Sequence, residues 1–199
     1  MKSIIITGAS SGIGHATAIT FLQAGWRVGL VARRGDLLEA IARDYPNAVP
    51  LPCDVTDAEA MTEAFSQFGH LDALFNNAGM FGPSAPIDEV ALSDWTSVMM
   101  VNLHGMFIAA RLAFGQMRRQ SPQGGLIINN GSISAHSPRP GSVCYTTTKH
   151  AITGLTNMRY AEMNRVSQGM IDGCANYAGD AEVEANCHDC TRSIDRHID

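Results

Sequence analysis

The segment SIIITGASSGIG, residues 3–14, joins a short apolar run directly to a glycine-rich loop. The run lacks polar alternation, which is typical of a strand buried on both faces. Glycines between a buried strand and a helix let the backbone approach a pyrophosphate at the helix N-terminus. The spacing Gly8-x3-Gly12-x-Gly14 departs from the G-x-G-x-x-G of other dinucleotide folds. A flexible turn is the alternative interpretation, but this context favours a nucleotide-binding loop.

The alternation of strand and helix continues along the first 130 residues. Further apolar runs, each expected to be buried on both faces, lie at residues 27–31, 48–52, 73–76 and 126–130. Helical patterns separate them at residues 14–25, 36–45 and 57–68. Gly25 is expected at the C′ position of the first helix. This order predicts an α/β fold with a doubly wound, Rossmann-type parallel sheet in a three-layer α/β/α arrangement.

The longest helical pattern covers residues 93–120 and is apolar on most sides. One stripe comprises Leu103, Phe107, Ala110, Phe114 and Met117, and three residues widen it: Met106, Ala109 and Ala113. A helix of this kind is either deeply buried or shared with another subunit. We therefore expect a homodimer or homotetramer.

Length and composition exclude several classes of protein. The 199 residues suit one domain with a sizeable core. The net charge of -5, without a basic stripe, argues against nucleic acid and anionic membranes as partners. The N-terminus lacks a secretory apolar region, and no apolar run approaches the roughly 18 residues of a spanning helix. We expect a cytoplasmic location, where the five cysteines would be free thiols.

Six short motifs follow one another along the chain: TGxxxGIG from Thr7, CDV at 53–55, NNAG at 76–79, VNLHG at 101–105, NGSIS at 130–134 and YTTTK at 145–149. Each is weak alone, but all six in this order are not expected by chance. To about residue 157, the chain resembles the short-chain dehydrogenase/reductase family. The resemblance implies a set of cofactor-binding residues: Gly8, Ser10, Ser11, Gly12, Ile13, Gly14, Asp54, Val55, Asn76, Asn77, Ala78, Gly79, Tyr145 and Lys149.

Tyr145 and Lys149 lie four residues apart, which stacks their side chains on one helix face. A free phenol, with a pKa of about 10, is a poor base at neutral pH. One positive charge about 4 Å away favours the phenolate by roughly 4 kcal/mol at an effective dielectric of about 20. By resemblance, Tyr145 exchanges a proton with the substrate oxygen, and hydride moves between a nicotinamide and the substrate carbon.

The resemblance assigns three further roles near Tyr145. Ser132 would hold the substrate oxygen by a hydrogen bond. Lys149 would bind the cofactor ribose in addition to its electrostatic role. Asn102 would hold a water that links Lys149 to solvent, and a plain polar helix residue is the alternative for this asparagine.

The end of the second predicted strand bears on the choice of cofactor. An acidic residue there would bind the ribose hydroxyls of NAD, but the sequence LVARRGD has Ala32 at that position. Arg33 and Arg34 follow, and a guanidinium matches phosphate oxygens in a bidentate manner. We therefore expect NADP(H), with Arg33 on the 2′-phosphate. NAD(H), with two solvated arginines, is the alternative.

The resemblance ends in the last forty residues. No proline follows Pro140, and no run of β-branched residues could form a sixth strand. We expect a dinucleotide-binding and catalytic domain over 1–157, and an atypical tail over 158–199, with the sheet lacking its last strands. An early end of the gene, another exon or a shifted reading frame would each explain such a tail.

We assign no metal, redox or glycosylation site to the remaining polar motifs. Cys187-x2-Cys190 with Cys174 and His197 could supply zinc ligands, but the spacing matches no justified pattern. A redox-active pair lacks the strand-to-helix context that such motifs need. The sequon at Asn130 is not expected to be used in a cytosolic chain. We assign His136 and His150 to a substrate loop and the surface, and expect no metal site.

Two functional hypotheses remain. The first is an NADP(H)-dependent oxidoreductase that interconverts a small-molecule alcohol and a carbonyl compound. The second is a catalytically idle family member that senses cofactor or pairs with a complete subunit. The Ser132, Tyr145 and Lys149 set favours the first, and the unusual C-terminal region favours the second.

Overall fold

The computed structural model describes residues 1–163 and 171–176 of the chain. Its strands are β1 Ser3–Thr7, β2 Arg27–Ala32, β3 Ala48–Pro52, β4 Ala73–Asn76, β5 Gly125–Asn130 and β6 Ile171–Asn176. Its helices are α1 Gly12–Gln23, α2 Gly35–Asp44, α3 Ala58–Phe68, α4 Leu92–Met99, α5 Met106–Arg119 and α6 Val143–Met163. Two 3-10 turns at Ile87–Glu89 and Ile133–Ala135 and a π-helical segment at Met100–Gly105 complete the described elements.

All strand pairs are parallel, and the strand order is β3-β2-β1-β4-β5-β6. The predicted fold class and the positions of β1 to β5 are confirmed. The chain reverses its winding direction between β1 and β4, which opens a crevice at the carboxyl ends of these strands.

Helices cover both faces of the sheet, as predicted. On one face, α1 and α2 pack against β1 and β2 through the buried residues Ile4, Ile6, Phe21, Leu30 and Leu38. On the other face, α3 and α5 pack through a second buried set: Ile5, Phe65, Leu74, Ala109 and Met117. Gly25 has a φ of 80° directly after the first helix, which confirms its expected C′ position.

Strand β3 departs from the expectation of burial on both faces. Only Leu51 in it is buried, and Pro52 is exposed. The strand lies at the edge of the sheet and pairs with β2 alone. Proline lacks the N–H that a central strand needs, so Pro50 and Pro52 fit this edge position.

A sixth strand is present, contrary to the sequence-based expectation. Residues Ile171–Asn176 pair with β5 along its whole length, from Gly125 opposite Ile171 to Asn130 opposite Asn176. Backbone hydrogen bonding to an existing strand outweighs the weak β propensity of this segment. The predicted boundary at residue 157 stays a prediction, although α6 runs through it. Residues 177–199, with Cys187, Cys190 and His197, lie outside the described residues.

The long helix occurs as predicted, as α4, the π segment and α5 in succession from Leu92 to Arg119. Its buried side differs from the predicted stripe. Ala109, Ala113 and Met117 are fully buried against the sheet, whereas Phe107 is 49% exposed. The helix therefore buries Ile108 and Met117 together with its alanines, and it exposes a large aromatic ring.

This helix also bears on the expectation about membrane spans. Leu92–Arg119 is long and apolar enough to cross a membrane by length and composition, with a mean hydropathy of 1.4 over its best window. Polar residues interrupt the apolar ones, so the continuous apolar runs in this helix stay far below the roughly 18 residues of a spanning segment. Because Ala109, Ala113 and Met117 pack against the sheet, the helix is built as a core helix.

Candidate active site

The predicted motifs converge at the carboxyl edge of the sheet. A cleft of about 860 Å³ lies there between the glycine loop, the ends of β2, β3 and β4, and the start of the π segment. Its lining contains these predicted cofactor-binding residues: Gly8, Ser10, Ser11, Gly12, Ile13, Arg33, Arg34, Asp54, Val55, Asn77, Ala78 and Gly79. Asn76 is buried beneath the cleft at the end of β4.

The glycine loop has a backbone that side chains would obstruct. Gly8 and Gly12 have φ angles of 73° and 58°, a region that favours glycine. A Cβ at Gly14 would lie 2.3 Å from the carbonyl oxygen of Gly8, so α1 packs directly on the loop. A Cβ at Gly12 would meet no atom within 4 Å, so the backbone there is open.

The N-terminus of α1 faces this loop and has free hydrogen-bonding capacity. The N-cap residue Ser11 forms no side-chain cap bond, and the first amides of a helix have no partner within it. A helix N-terminus also carries partial positive charge. The open glycine backbone and these amides suit a pyrophosphate, so the residues present fit a dinucleotide.

Thr7 and Asn77 hold the glycine loop against β4. The Thr7 hydroxyl oxygen accepts hydrogen bonds from the amides of Asn77 at 2.8 Å and Ala78 at 2.9 Å. The Asn77 side-chain amide donates to the Thr7 carbonyl at 3.0 Å. Asn130, at the end of β5, donates in turn to Asn77 Oδ1 at 2.7 Å. Hydrogen bonds therefore link the loop to two strands.

The two arginines have different surroundings. Arg34 donates to the hydroxyls of both Ser10 and Ser11 at 2.9 Å, which ties the end of β2 to the glycine loop. The Arg33 side chain is 77% exposed, and its Nη1 lies 4.0 Å from Asp54 Oδ2. Arg33 is thus the more available cation at the rim of the cleft.

Asp54 is held as a carboxylate. Its Oδ1 accepts hydrogen bonds from the Thr56 amide at 2.9 Å and the Thr56 hydroxyl at 2.8 Å. Burial opposes ionisation of Asp54, but the Thr56 hydrogen bonds and the Arg33 charge together lower its pKa below the ordinary value. The second oxygen faces the cleft rim and Arg33.

Asn102 lies in the π segment and is fully buried. Its Nδ2 donates to the Met80 carbonyl at 2.8 Å and the Thr148 hydroxyl at 3.2 Å, and its Oδ1 accepts from the Met80 amide at 2.8 Å. The side chain thus clamps the segment after β4 to α6. Its two amide hydrogens are engaged, and the expected link to water stays a prediction.

Ser132 follows β5 by two residues and precedes a 3-10 turn. Its side chain is 7% exposed, and its oxygen accepts a hydrogen bond from the Ser134 amide at 3.1 Å. The hydroxyl hydrogen remains available for another acceptor. The turn that Ser132 caps packs against α6, the helix that carries Tyr145.

Tyr145 and Lys149 occupy successive turns at the start of α6. Lys149 is 3% exposed, and its ammonium donates to the Asn130 carbonyl at 2.6 Å. Burial lowers the Lys149 pKa from 10.5 to about 8. The Lys149 Nζ lies 5.4 Å from the centre of the Tyr145 ring. Among the described residues, the Tyr145 hydroxyl has no hydrogen-bond partner.

Sequence reasoning missed two residues. Asn130 was weighed only as a sequon, yet its carbonyl holds Lys149 and its amide holds Asn77. The signal was its place in NGSIS, directly before the Ser132 turn. Phe81, whose ring centre lies 4.9 Å from that of Tyr145, follows NNAG by two positions, and nothing local indicated this contact.

The roles predicted for the two histidines near the site stay predictions. His136 and His150 are both exposed, and His150 Nδ1 lies 3.0 Å from the Thr146 carbonyl oxygen. Over the described part of the chain, no group of three or more His, Cys, Asp or Glu residues could hold a metal ion. Cys174 lies in β6, and its proposed zinc partners fall outside the described residues.

The geometry agrees with a comparison against protein families. A family model described as short chain dehydrogenase matches residues 2–171. The chain belongs to this family. The match passes residue 157, where the visible resemblance ended, and reaches the first residue of β6.

Relatives of the short-chain dehydrogenase family have varied names. Serine 3-dehydrogenase of Agrobacterium fabrum is 36% identical over 152 residues, which are 74% of this chain and 60% of that protein. The 3beta-hydroxysteroid dehydrogenase of Mediterraneibacter gnavus is 32% identical over 163 residues, 78% of this chain and 58% of that protein. Momilactone A synthase of Oryza sativa subsp. japonica is 38% identical over 187 residues, 89% of this chain and 66% of that protein. The chain therefore spans about three fifths of the first two relatives.

Solved structures of similar fold are also reductases by name. A 3-ketoacyl-(acyl-carrier-protein) reductase from Brucella melitensis, complexed with NADH, matches with a TM-score of 0.80 and 26% identity, over 93% of this chain and 78% of its own. A 3-ketoacyl-ACP reductase from Sinorhizobium meliloti 1021 gives a TM-score of 0.78 and 28% identity, over 92% and 78%. Both likenesses fit an oxidoreductase family.

Proposed function

We propose that this chain is an NADP(H)-dependent oxidoreductase that interconverts a small-molecule alcohol and a carbonyl compound. One observation carries the proposal: the Tyr145 hydroxyl has no hydrogen-bond partner in the described part of the chain and a buried lysine ammonium lies beside its ring, in a family of dehydrogenases. Ser132, Tyr145 and Lys149 would form the catalytic set, and Asn102 would support it through Thr148 and Met80.

Tyr145 would act as the general acid in reduction. It would give its proton to the substrate oxygen while the carbonyl carbon gains a hydride, and alcohol oxidation would run in reverse. Ser132 would donate its free hydroxyl hydrogen to the same oxygen. Nicotinamide bound in the cleft would supply or take up the hydride.

Lys149 would stabilise the negative charge that Tyr145 gains when it loses its proton. A pKa of about 8 leaves the Lys149 ammonium largely protonated at neutral pH. The Lys149 Nζ lies 5.4 Å from the centre of the Tyr145 ring, and one positive charge about 5 Å from a phenolate oxygen stabilises it by about 3 kcal/mol at an effective dielectric of about 20. Such a contribution corresponds to roughly a hundredfold in equilibrium or rate.

The cofactor proposal rests on the rim of the cleft. The NADH of the Brucella reductase structure supports a nicotinamide cofactor here. The preference for NADP(H) rests on Ala32, which offers no acid to ribose hydroxyls, and on the exposed Arg33 guanidinium. Arg34 is already bonded to Ser10 and Ser11 and would position the loop.

Calorimetric titration with NADPH and NADH tests the cofactor assignment. We expect tighter binding of NADPH, and a smaller preference in Arg33→Ala. Arg43→Ala, at the far end of α2, is the matched control and should keep the wild-type preference. An unchanged NADPH-to-NADH affinity ratio in Arg33→Ala would show that the 2′-phosphate assignment is wrong.

Reduction of a panel of ketones with NADPH tests the reaction itself. We expect turnover in the wild type and none in Tyr145→Phe, which keeps the ring and removes the proton donor. The second hypothesis is a cofactor-binding protein without catalysis. NADPH binding without turnover of any compound would support that second hypothesis.

The proposals on assembly and location rest on an exposed aromatic ring and on free thiols. We propose a homodimer or homotetramer through the outer side of α5, where Phe107 is 49% exposed. Light scattering should give a mass above that of one chain, and Phe107→Glu should lower this mass.

We also propose a cytoplasmic location, supported by the free thiols of Cys53 and Cys144. Cell fractionation would test this location.

A further inference from the structure

The segment from Met80 to Pro86 forms one wall beside Tyr145. Phe81 is 41% exposed, and its ring centre lies 4.9 Å from that of Tyr145, with 31° between the ring planes. Met80 is 42% exposed. An apolar surface thus adjoins the ring that would carry the reacting proton.

This wall is built into the fold. The Met80 amide and carbonyl are both bound by Asn102, at 2.8 Å each. A Cβ at Gly82, which has a φ of 79°, would lie 2.6 Å from Val98, so the turn packs closely on α4. The Ala85 amide donates to the Gly141 carbonyl at 3.1 Å. Three attachments therefore hold Phe81 in place.

The Asn102 clamp also fixes the wall relative to Tyr145. Asn102 donates to the Thr148 hydroxyl, and that hydroxyl donates to the Tyr145 carbonyl at 2.7 Å. A continuous set of hydrogen bonds thus joins the backbone of Met80 to the first turn of α6. The Phe81 ring is held at a set distance from the proton donor.

A second apolar side chain follows Ser132. Ile133 is 46% exposed and belongs to the turn that packs against α6. The two segments that flank the proposed reacting oxygen, residues 80–86 and 131–135, contain no Asp, Glu, Lys, Arg or His. The nearest such residues along the chain are Asp88, His136 and Arg139, and His136 is exposed. A substrate carboxylate or ammonium would find no ionic partner in either segment.

We infer that the substrate carries a flat apolar group next to its carbonyl or carbinol carbon, an aromatic or alicyclic ring rather than a charged group. The ring would lie against Phe81 and Ile133 while Ser132 and Tyr145 hold the oxygen, since aromatic faces favour offset stacking and apolar burial. This inference rests on the proposed function. It separates the two kinds of substrate that the names of the relatives suggest, an amino acid and a steroid.

Three ketones that differ in one substituent test the inference: acetophenone, acetone and pyruvate, with NADPH as reductant. We expect kcat/KM for acetophenone to exceed that for acetone about tenfold or more, and pyruvate to be poorest. Phe81→Ser should lower the acetophenone value about tenfold more than it lowers the acetone value. The kcat/KM of Phe81→Leu for acetophenone should fall between those of the wild type and Phe81→Ser. Leu92→Ser, at an apolar residue 82% exposed on α4, is the matched control.

Binding of unreactive amides gives a readout independent of turnover. In calorimetric titration of the NADPH-bound protein, benzamide should bind about tenfold more tightly than acetamide, and Phe81→Ser should remove the difference. Unchanged NADPH affinity in Phe81→Ser would show that the variant folds. Turnover that favours pyruvate, or a Phe81→Ser variant with wild-type selectivity, would overturn the substrate inference alone. No turnover of any ketone would overturn the proposed function with it.

Discussion

Lys149 carries its amine into the interior of the protein, and its titration should govern part of the stability. The side chain is 3% exposed and donates to the Asn130 carbonyl. Burial lowers the pKa from 10.5 to about 8. This difference corresponds to about 3 kcal/mol of unfavourable free energy when the amine is charged in the folded chain.

The sign follows from the protons bound by each state. Below pH 8 both folded and unfolded chains are protonated at Lys149, so the folded state bears the whole cost of the buried charge. Between pH 8 and 10.5 the folded chain has released this proton while the unfolded chain keeps it, so stability rises with pH. Above pH 10.5 both forms are neutral and the cost is gone.

Urea unfolding of wild type and Lys149→Met at pH 7 and pH 9 measures this contribution. We expect the wild type to gain about 1.3 kcal/mol relative to the variant between these values. Loss of the hydrogen bond to Asn130 lowers the stability of the variant equally at both values, so the difference isolates the charge. Lys2→Met, at the other lysine of the chain, is the control for removal of a lysine charge.

Two results would refute this reasoning. Identical pH dependence in the wild type and Lys149→Met would mean that the amine titrates alike in folded and unfolded chains. A wild type that loses stability relative to the variant as pH rises would mean that partners favour the ammonium more than burial opposes it. Lys2→Met should follow the wild type throughout.

Three other perturbations test the packing around the site. Gly14→Ala should abolish NADPH binding in calorimetry, because its Cβ would lie 2.3 Å from the Gly8 carbonyl oxygen. A Cβ at Gly154 would meet no atom within 4 Å, so Gly154→Ala should raise the melting temperature slightly. Asp57→Ala should lower the free energy of unfolding by about 1 kcal/mol, since Asp57 caps α3 through two amides; an unchanged urea midpoint would contradict this. Burial raises the Cys53 pKa to about 11, so a thiol reagent should label it slowly in the folded chain at pH 8, and labelling as fast as in urea would contradict the burial argument.

Much of the fold follows from local patterns. The runs that became β1 and β2 are apolar without alternation, and Gly8 and Gly12 need conformations that few other residues adopt. The motif residues lie together because the carboxyl ends of parallel strands share one edge of the sheet. Such features depend on residue type and spacing along the chain.

Other features depend on pairing that a local pattern does not contain. β6 forms because β5 offers a row of backbone partners, although its own sequence has little strand propensity. β3 is an edge strand because only β2 pairs with it, and its own sequence does not indicate this. Phe107 points outward because another side of its helix, with Ile108 and Ala109, packs against the sheet.

The sequence by itself determined the chemistry that is available: the glycine loop, a tyrosine and a lysine one helical turn apart, and a serine after a strand. Tertiary structure alone decided the environment of these groups. Lys149 meets a carbonyl 19 positions away, and Asn102 holds Met80 from 22 positions away. The burial of Lys149, its lowered pKa and the position of Phe81 all depend on residues that are distant in sequence. They are therefore set only when the chain folds.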